Sequence, residues 1–171
     1  MEVIGEFEVD TRARNILGEG AFGQVYRGTN QKTGQMVAVK CVMETDKITP
    51  ERIRNEIKIL ESAQGHDNIL GFIQVHEDFS LKGVTKKKRA MFWIFIELCS
   101  LGNLYEYSIS HLLEKEHMID IMGQVSDGVA YLHAKNIVHR DIKPDNLLFV
   151  DSGFDHVAKI ADFGISKWVE D

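Results

Sequence analysis

The chain has 171 residues, 44% hydrophobic and 27% charged, an ordinary globular balance with room for one domain or two small lobes. With 26 acidic against 20 basic residues, its net charge of −6 disfavours a nucleic-acid binder that works through a broad basic face. Its two cysteines, Cys41 and Cys99, lack metal-type spacing and cannot build a disulfide framework, and its longest apolar run, Met91 to Ile96, is far too short to span a bilayer. The acidic start at Met1 to Glu6 lacks the pattern of a signal peptide, so the expectation is a cytoplasmic or nuclear protein that binds neither membrane nor nucleic acid.

Residues 13–28 are predicted to form two strands around a glycine-rich turn, Gly18-Glu19-Gly20-Ala21-Phe22-Gly23-Gln24-Val25. Glycines let backbone N–H groups approach phosphates with no Cβ in the way. A dinucleotide-binding fold needs a helix to start at the last glycine, and a Walker loop needs Gly-Lys-Ser/Thr. Gln24 to Gly28 reads instead as a strand, so the glycines belong to a hairpin, and a hairpin with no ligand would explain this segment equally well by itself.

Residues 36–43 form the next predicted strand, on which Ala38, Lys40 and Val42 share one face. A helix is expected from Thr49-Pro50-Glu51, with an inward stripe at Ile53, Ile57 and Leu60 and an end at Gly65. Glu56 falls within that stripe, where an unpaired carboxylate costs several kcal/mol, so it is expected to pair with Lys40.

Strands are predicted at 69–79 and 90–96, separated by a polar stretch whose basic run, Lys86 to Arg89, reads as a solvated loop. From Gly102 the pattern turns helical, with Ile121, Val125, Val129 and Leu132 marking a helix over roughly 115–134. Two short β-type runs, 147–150 and 156–161, are joined across Asp151-Ser152-Gly153. Strands first and helices second indicate an α+β fold.

His139-Arg140-Asp141-Ile142-Lys143-Pro144-Asp145-Asn146 places Asp141, Lys143 and Asn146 in one short loop. If the two β-type runs form a hairpin, Asn146 at its start and Asp162 just past its end come together, supplying the oxygen ligands that Mg²⁺ prefers.

In order, the glycine loop, Val37-Ala38-Val39-Lys40, the helix glutamate, His139-Arg140-Asp141 with Asn146, and Asp162-Phe163-Gly164 resemble the signatures of the eukaryotic protein kinase family. Lys143, two residues after Asp141, is similar to the serine/threonine branch, and the hinge and catalytic stretch loosely resemble calmodulin-dependent and checkpoint kinases. The resemblance implies a small antiparallel-sheet lobe with one helix over about 1–98, and the first part of a helical lobe over about 99–171. It implies ATP and Mg²⁺ as cofactors and a protein substrate with a Ser or Thr acceptor. By its pattern, Leu17, Val25, Ala38 and Leu148 contact adenine; Ile96 is the gatekeeper; and Glu97 and Cys99 meet the adenine edge through backbone groups. Gly18, Glu19, Gly20, Ala21, Phe22, Gly23 and Gln24 cover the phosphates, which Lys40, oriented by Glu56, holds. Asn146 and Asp162 hold the metal, Asp141 accepts the substrate proton, and Lys143 stabilises the departing γ-phosphate.

Leu60, His139 and Phe163 resemble the apolar stack of an assembled active state, and Arg140 the arginine that pairs with a phosphorylated activation loop. The family pattern breaks off after Gly164, without an Ala-Pro-Glu anchor or the later helices. The expectation is a fragment or a shortened, catalytically weak product acting by nucleotide or partner binding. By itself it would bind Mg-ATP weakly if at all, would not phosphorylate peptides efficiently, and would leave Val125, Val129 and Leu132 as an uncovered helical face prone to self-association.

Overall fold

The computed structural model describes residues 1–20, 23–81, 88–111, 113–153 and 156–169. Contacts divide the chain into two compact units, one made of Met1–Asn55 with Phe72–Leu98, the other of Glu56–Gly71 with Cys99–Asp171.

The strands of the first unit are β1 (Glu2–Ile4), β2 (Phe7–Val9), β3 (Ile16–Gly20), β4 (Gly23–Asn30), β5 (Met36–Met43), β6 (Phe72–Leu81) and β7 (Lys88–Glu97). Among the described residues they form one seven-stranded antiparallel sheet in the order β1-β2-β4-β5-β7-β6, with β3 also paired to β4. Cross-strand partners share a face. One face buries Tyr26, Val37, Val39, Trp93 and Phe95 together with Ile4, Phe7 and Val9. The register puts Val25, Lys40 and Ile94 in one row of the opposite face, and Arg27, Ala38 and Ile96 in the next.

Several elements differ from the sequence expectation. The strands β1 and β2 were not foreseen, being three residues each and too short to show a period. A 3-10 turn, Ala13–Asn15, stands where a strand was expected to begin. Lys86 and Lys87 lie outside the described residues, but Lys88 and Arg89 belong to β7 rather than to a loop. The Arg89 guanidinium donates to the carbonyl of Glu44 at 3.2 Å, and the residue is half-buried.

Helix α1 (Pro50–Ser62) starts as expected, with Thr49 Oγ1 accepting from the Arg52 N–H at 3.3 Å. Ile53, Ile57, Ile59 and Leu60 are buried along it. It ends before Gly65, and Ile69 forms an isolated bridge to Ile160 instead of starting the next strand.

In the second unit, α2 (Leu104–Ser110) opens on a capping box. Asn103 accepts from the Glu106 N–H at 3.0 Å, and the Glu106 carboxylate accepts from the Asn103 N–H at 2.9 Å. Helix α3 (Lys115–Ala134) is followed by β8 (Ile137–Val138), a 3-10 turn at Pro144–Asn146, β9 (Leu147–Asp151), β10 (His156–Ile160) and β11 (Lys167–Trp168). β9 and β10 form a hairpin, and β11 returns to pair with β8. Tyr107 of α2 stacks on Phe149 of β9 at 4.3 Å between ring centres.

Helix α3 packs on β10, and Gly128 is where they approach: a Cβ there would stand 2.9 Å from Ile160 Cδ1 and 3.2 Å from Asn68 Cβ. This contact overturns the expectation of an uncovered face at Val125 and Leu132, which are 5% and 0% exposed, while Val129 is half-buried. Strands β10 and β8 pack against α3, and its exposed large apolar side chains are Ile119 and Met122 instead. Among the described residues no helix is long and apolar enough to cross a membrane.

Candidate functional site

In the first unit the glycine-rich segment is the β3–β4 hairpin, with Gly18 opposite Val25, Glu19 opposite Gln24 and Gly20 opposite Gly23. Ala21 and Phe22 lie outside the described residues. The Gln24 side-chain amide donates to the Glu19 carboxylate at 2.7 Å across the hairpin. Gly23 has φ +146°, and a Cβ there would stand 2.0 Å from the Cys41 carbonyl oxygen, so no side chain fits. Gly18, by contrast, has nothing within 4 Å of its Cβ position, and Leu17 beside it is 40% exposed.

Val25, Ala38, Lys40 and Ile96 share the sheet face described above, with Ala38 and Ile96 buried and Val25 and Lys40 half-buried. A small residue at 38 keeps that face flat beside the lysine. Glu97 closes β7 opposite Val37 and is half-buried.

In the second unit, Glu56 on α1, Cys99 just past β7 and Leu148 on β9 are each half-buried. Leu148 points away from its buried neighbours Leu147 and Phe149, leaving an apolar surface partly open, and forms a bridge with Asn103.

The loop before β9 gathers the remaining candidates. Asn146, 7% exposed at the end of the 3-10 turn, spends both amide protons on Asp141, on the main-chain carbonyl and on carboxylate Oδ2, each at 2.9 Å. Only its Oδ1 is then left to act as a ligand. The Lys143 ammonium donates to the same Asp141 Oδ2 at 2.8 Å. The Lys143 bond, then that from Asn146, hold the Asp141 carboxyl below the usual carboxylate range, and Asp141 raises Lys143 in return. Asp141 is therefore an anion near neutral pH, aligned to accept one more proton donor.

Asp162 is tied to this loop through the backbone. The hairpin register ends with Ile160 opposite Leu147, and the Ala161 N–H donates to the Asn146 carbonyl at 2.9 Å. Asp162 follows with φ 61° and accepts the Gly164 N–H on Oδ1 at 3.2 Å. Arg140 also has a left-handed φ, of 68°. Such a conformation costs a non-glycine residue roughly 1–3 kcal/mol and persists only where the surroundings enforce it. Amide and carboxylate oxygens at Asn146 and Asp162 are the hard donors that Mg²⁺ takes, usually with water and phosphate oxygens completing the shell. Among the described residues no three His, Cys, Asp or Glu side chains cluster as a site for a metal ion.

One supporting residue was seen in the sequence only as part of an apolar stack. His139, 3% exposed, accepts the Asp141 N–H on Nδ1 at 3.3 Å and donates from Nε2 to the Ala161 carbonyl at 3.0 Å. These partners fix the neutral Nε2–H tautomer, and burial pushes its pKa down. His139 thereby links the strand before Asp162 to the backbone of Asp141. Phe163 meets its ring edge to face at 5.0 Å, and Ser166 Oγ donates to its carbonyl at 3.1 Å. No local signal could reveal the Ala161 contact, because its partners are separated by 22 positions. Leu60 and Phe163 are buried as well.

The family model "Protein kinase domain" matches residues 11–171. Calcium-dependent protein kinase 5 of Plasmodium berghei (strain Anka) is 35% identical over 152 residues, 88% of this chain and 25% of that protein. Its namesake in Plasmodium falciparum (isolate 3D7) is 31% identical over 167 residues, 97% of this chain and 27% of that protein. Serine/threonine-protein kinase atg1 of Dictyostelium discoideum is 32% identical over 177 residues, covering 99% and 25%. The chain thus spans about a quarter of the length of the curated relatives it matches. The protein kinase family generally uses ATP and Mg²⁺ and acts on protein substrates. By the extent of the family match, and in the company of relatives named as calcium-dependent and serine/threonine-protein kinases, the chain belongs to the protein kinase domain family.

Proposed function

We propose that this chain carries the nucleotide-binding and phosphoryl-transfer machinery of a serine/threonine protein kinase, divided near Leu98 into a sheet part and a helical part. Leu17, Val25, Ala38 and Leu148 contact adenine, and the backbones of Glu97 and Cys99 bond its edge. The hairpin from Gly18 to Gln24 covers the phosphates, and Lys40, oriented by Glu56, neutralises the α and β groups. Asn146 and Asp162 would hold Mg²⁺, which supplies positive charge to the β and γ oxygens. Asp141 orients the acceptor hydroxyl and takes its proton, and Lys143 steadies the γ-phosphate in transit.

The observation that carries this reading is the Asp141–Asn146 pair. A buried asparagine with both protons committed to Asp141 has only a carbonyl oxygen to offer, one residue before the hairpin that leads to Asp162. A purely structural asparagine needs no anionic base beside it and no lysine on the same carboxylate oxygen.

Calorimetric titration of the chain with Mg-ATP tests it. The wild type and Asp141→Asn bind alike, because the base contributes little to the nucleotide ground state, while Asp162→Asn loses the Mg²⁺-dependent part of the affinity. Absence of Mg²⁺-dependent binding by the wild type would remove the reading.

A further inference from the structure

Residues 1–10 precede the part of the chain that the kinase family model matches, yet they are built into the sheet. We propose that this N-terminal hairpin is a brace behind the glycine-rich loop, and that Phe7 is a positioning residue for nucleotide binding; this rests on the reading that the sheet holds the nucleotide.

Gly5, with φ 59°, turns β1 into β2 in a two-residue hairpin. β2 then pairs with the second part of β4, Phe7 opposite Asn30 and Val9 opposite Gly28. The first part of the same edge of β4 holds β3, from Gly20 opposite Gly23 to Ile16 opposite Tyr26. The brace and the glycine hairpin are thus consecutive partners of a single strand. The Asp10 N–H continues the ladder by donating to the Arg27 carbonyl at 3.1 Å. At the turn, the Gln31 N–H donates to the Glu6 carbonyl at 2.8 Å, and Lys32 pairs with the Glu6 carboxylate.

Ile4, Phe7 and Val9 supply three of the eight buried members of the core on that face. The Phe7 ring lies 4.5 Å from that of Phe95. Phe95 sits opposite Val39, the residue before Lys40, and two residues before Glu97. Val37, Val39 and Phe95 are each 0% exposed. Val25, Ala38 and Lys40 point from the other face of the same strands. The brace therefore sets the spacing of β4, β5 and β7 from behind, without touching the face that carries Lys40.

Among the described residues the glycine hairpin is anchored chiefly through β4, with the Gln24–Glu19 side-chain bond tying its two strands together. Leu17 is 40% exposed, and the space around the Gly18 Cβ position is open. Its position is inherited from β4, so slack in β4 reaches the phosphate-covering backbone. A binding-competent arrangement that falls to about a tenth of the population raises the apparent Kd about ten-fold.

Calorimetric Mg-ADP titration of the whole chain, below the unfolding range of every variant, separates positioning from stability. Phe7→Ala is expected to raise Kd about ten-fold, and Phe7→Leu to return it to within about two-fold of wild type. Ile121→Ala, in the α3 core of the other unit, lowers the unfolding temperature without moving Kd. Should Phe7→Ala fail to fold, Ile4→Ala at the rim of the same cluster is expected to raise Kd about three-fold. Wild-type Kd in Phe7→Ala (or in Ile4→Ala where Phe7→Ala does not fold), or an equal rise in Ile121→Ala, overturns the brace alone. No Mg-ADP binding by the wild type overturns the nucleotide reading and the brace with it.

Discussion

Replacing Asn146 by Ala removes two hydrogen bonds from a side chain only 7% exposed, one to the Asp141 carboxylate and one to its carbonyl, each 2.9 Å long. A bond to a charged acceptor contributes about 1.5–3 kcal/mol and a neutral one about 0.5–1.5 kcal/mol. The Asp141 side chain is 30% exposed, so water takes back part of the lost interaction. A net loss of about 2–3 kcal/mol remains, which for a protein of this size lowers the unfolding midpoint by about 4–12 °C. Asn146→Asp goes further, because it puts a second carboxylate against Oδ2 of the first. Like charge raises a carboxyl pKa in the folded state above its unfolded value, so the folded protein binds the extra proton and stability is regained as pH falls through that raised pKa. Wild type moves the other way in acid, since the lowered pKa of Asp141 means its contribution is lost as pH falls. The deficit of Asn146→Asp should therefore shrink from about pH 7.5 to about pH 5, as followed by differential scanning calorimetry. An Asn146→Ala midpoint within about 1 °C of wild type, or an aspartate deficit that ignores pH, would refute the reasoning.

His139 has its pKa lowered by burial, so its contribution is complete above the unfolded value near 6.5 and is lost as pH falls through that value toward the folded one. His139→Leu should be less stable at neutral pH by about 2 kcal/mol, and the gap should narrow by about pH 5.5 in paired melting curves. An unchanged gap would mean that burial does not hold the folded-state pKa of His139 below its unfolded value. Gly23→Ala, with φ +146° and the Cys41 carbonyl in the way, should cost about 3 kcal/mol or more, whereas Gly18→Ala stays within about 0.5 kcal/mol of wild type without nucleotide. Equal melting temperatures for the two alanine variants would contradict the hairpin geometry.

The parts of the fold that were legible in the sequence are those whose signal is local. α3 runs over the residues that its apolar spacing marks out, and the turn at Asp151-Ser152-Gly153 announces the hairpin that carries Asn146 toward Asp162. The glycine spacing could be separated from a strand-to-helix loop because Gln24 to Gly28 reads as a strand, and β4 occupies that stretch. What was not legible depends on pairing at a distance. β1 and β2 are too short to show a period, and their strand character comes from lying against β4 and burying Ile4, Phe7 and Val9. The cover on Val125 and Leu132 escaped notice because the sequence does not say that Gly128 lets β10 approach α3 so closely. The role of His139 was hidden for the same reason, its partners being two residues away on one side and 22 on the other.

In the proposed reaction Asp141 takes the proton of a Ser or Thr hydroxyl as the γ-phosphoryl group of Mg-ATP is transferred to it. Single-turnover transfer of a radiolabelled γ-phosphate to a serine-containing protein acceptor measures it directly, with enzyme in excess over ATP. The account predicts that Asp141→Ala keeps its Mg-ATP affinity while the rate falls by roughly 10²–10⁴, the usual contribution of a positioned base. Transfer at the wild-type rate by Asp141→Ala, or none by a wild type saturated with Mg-ATP, would contradict it.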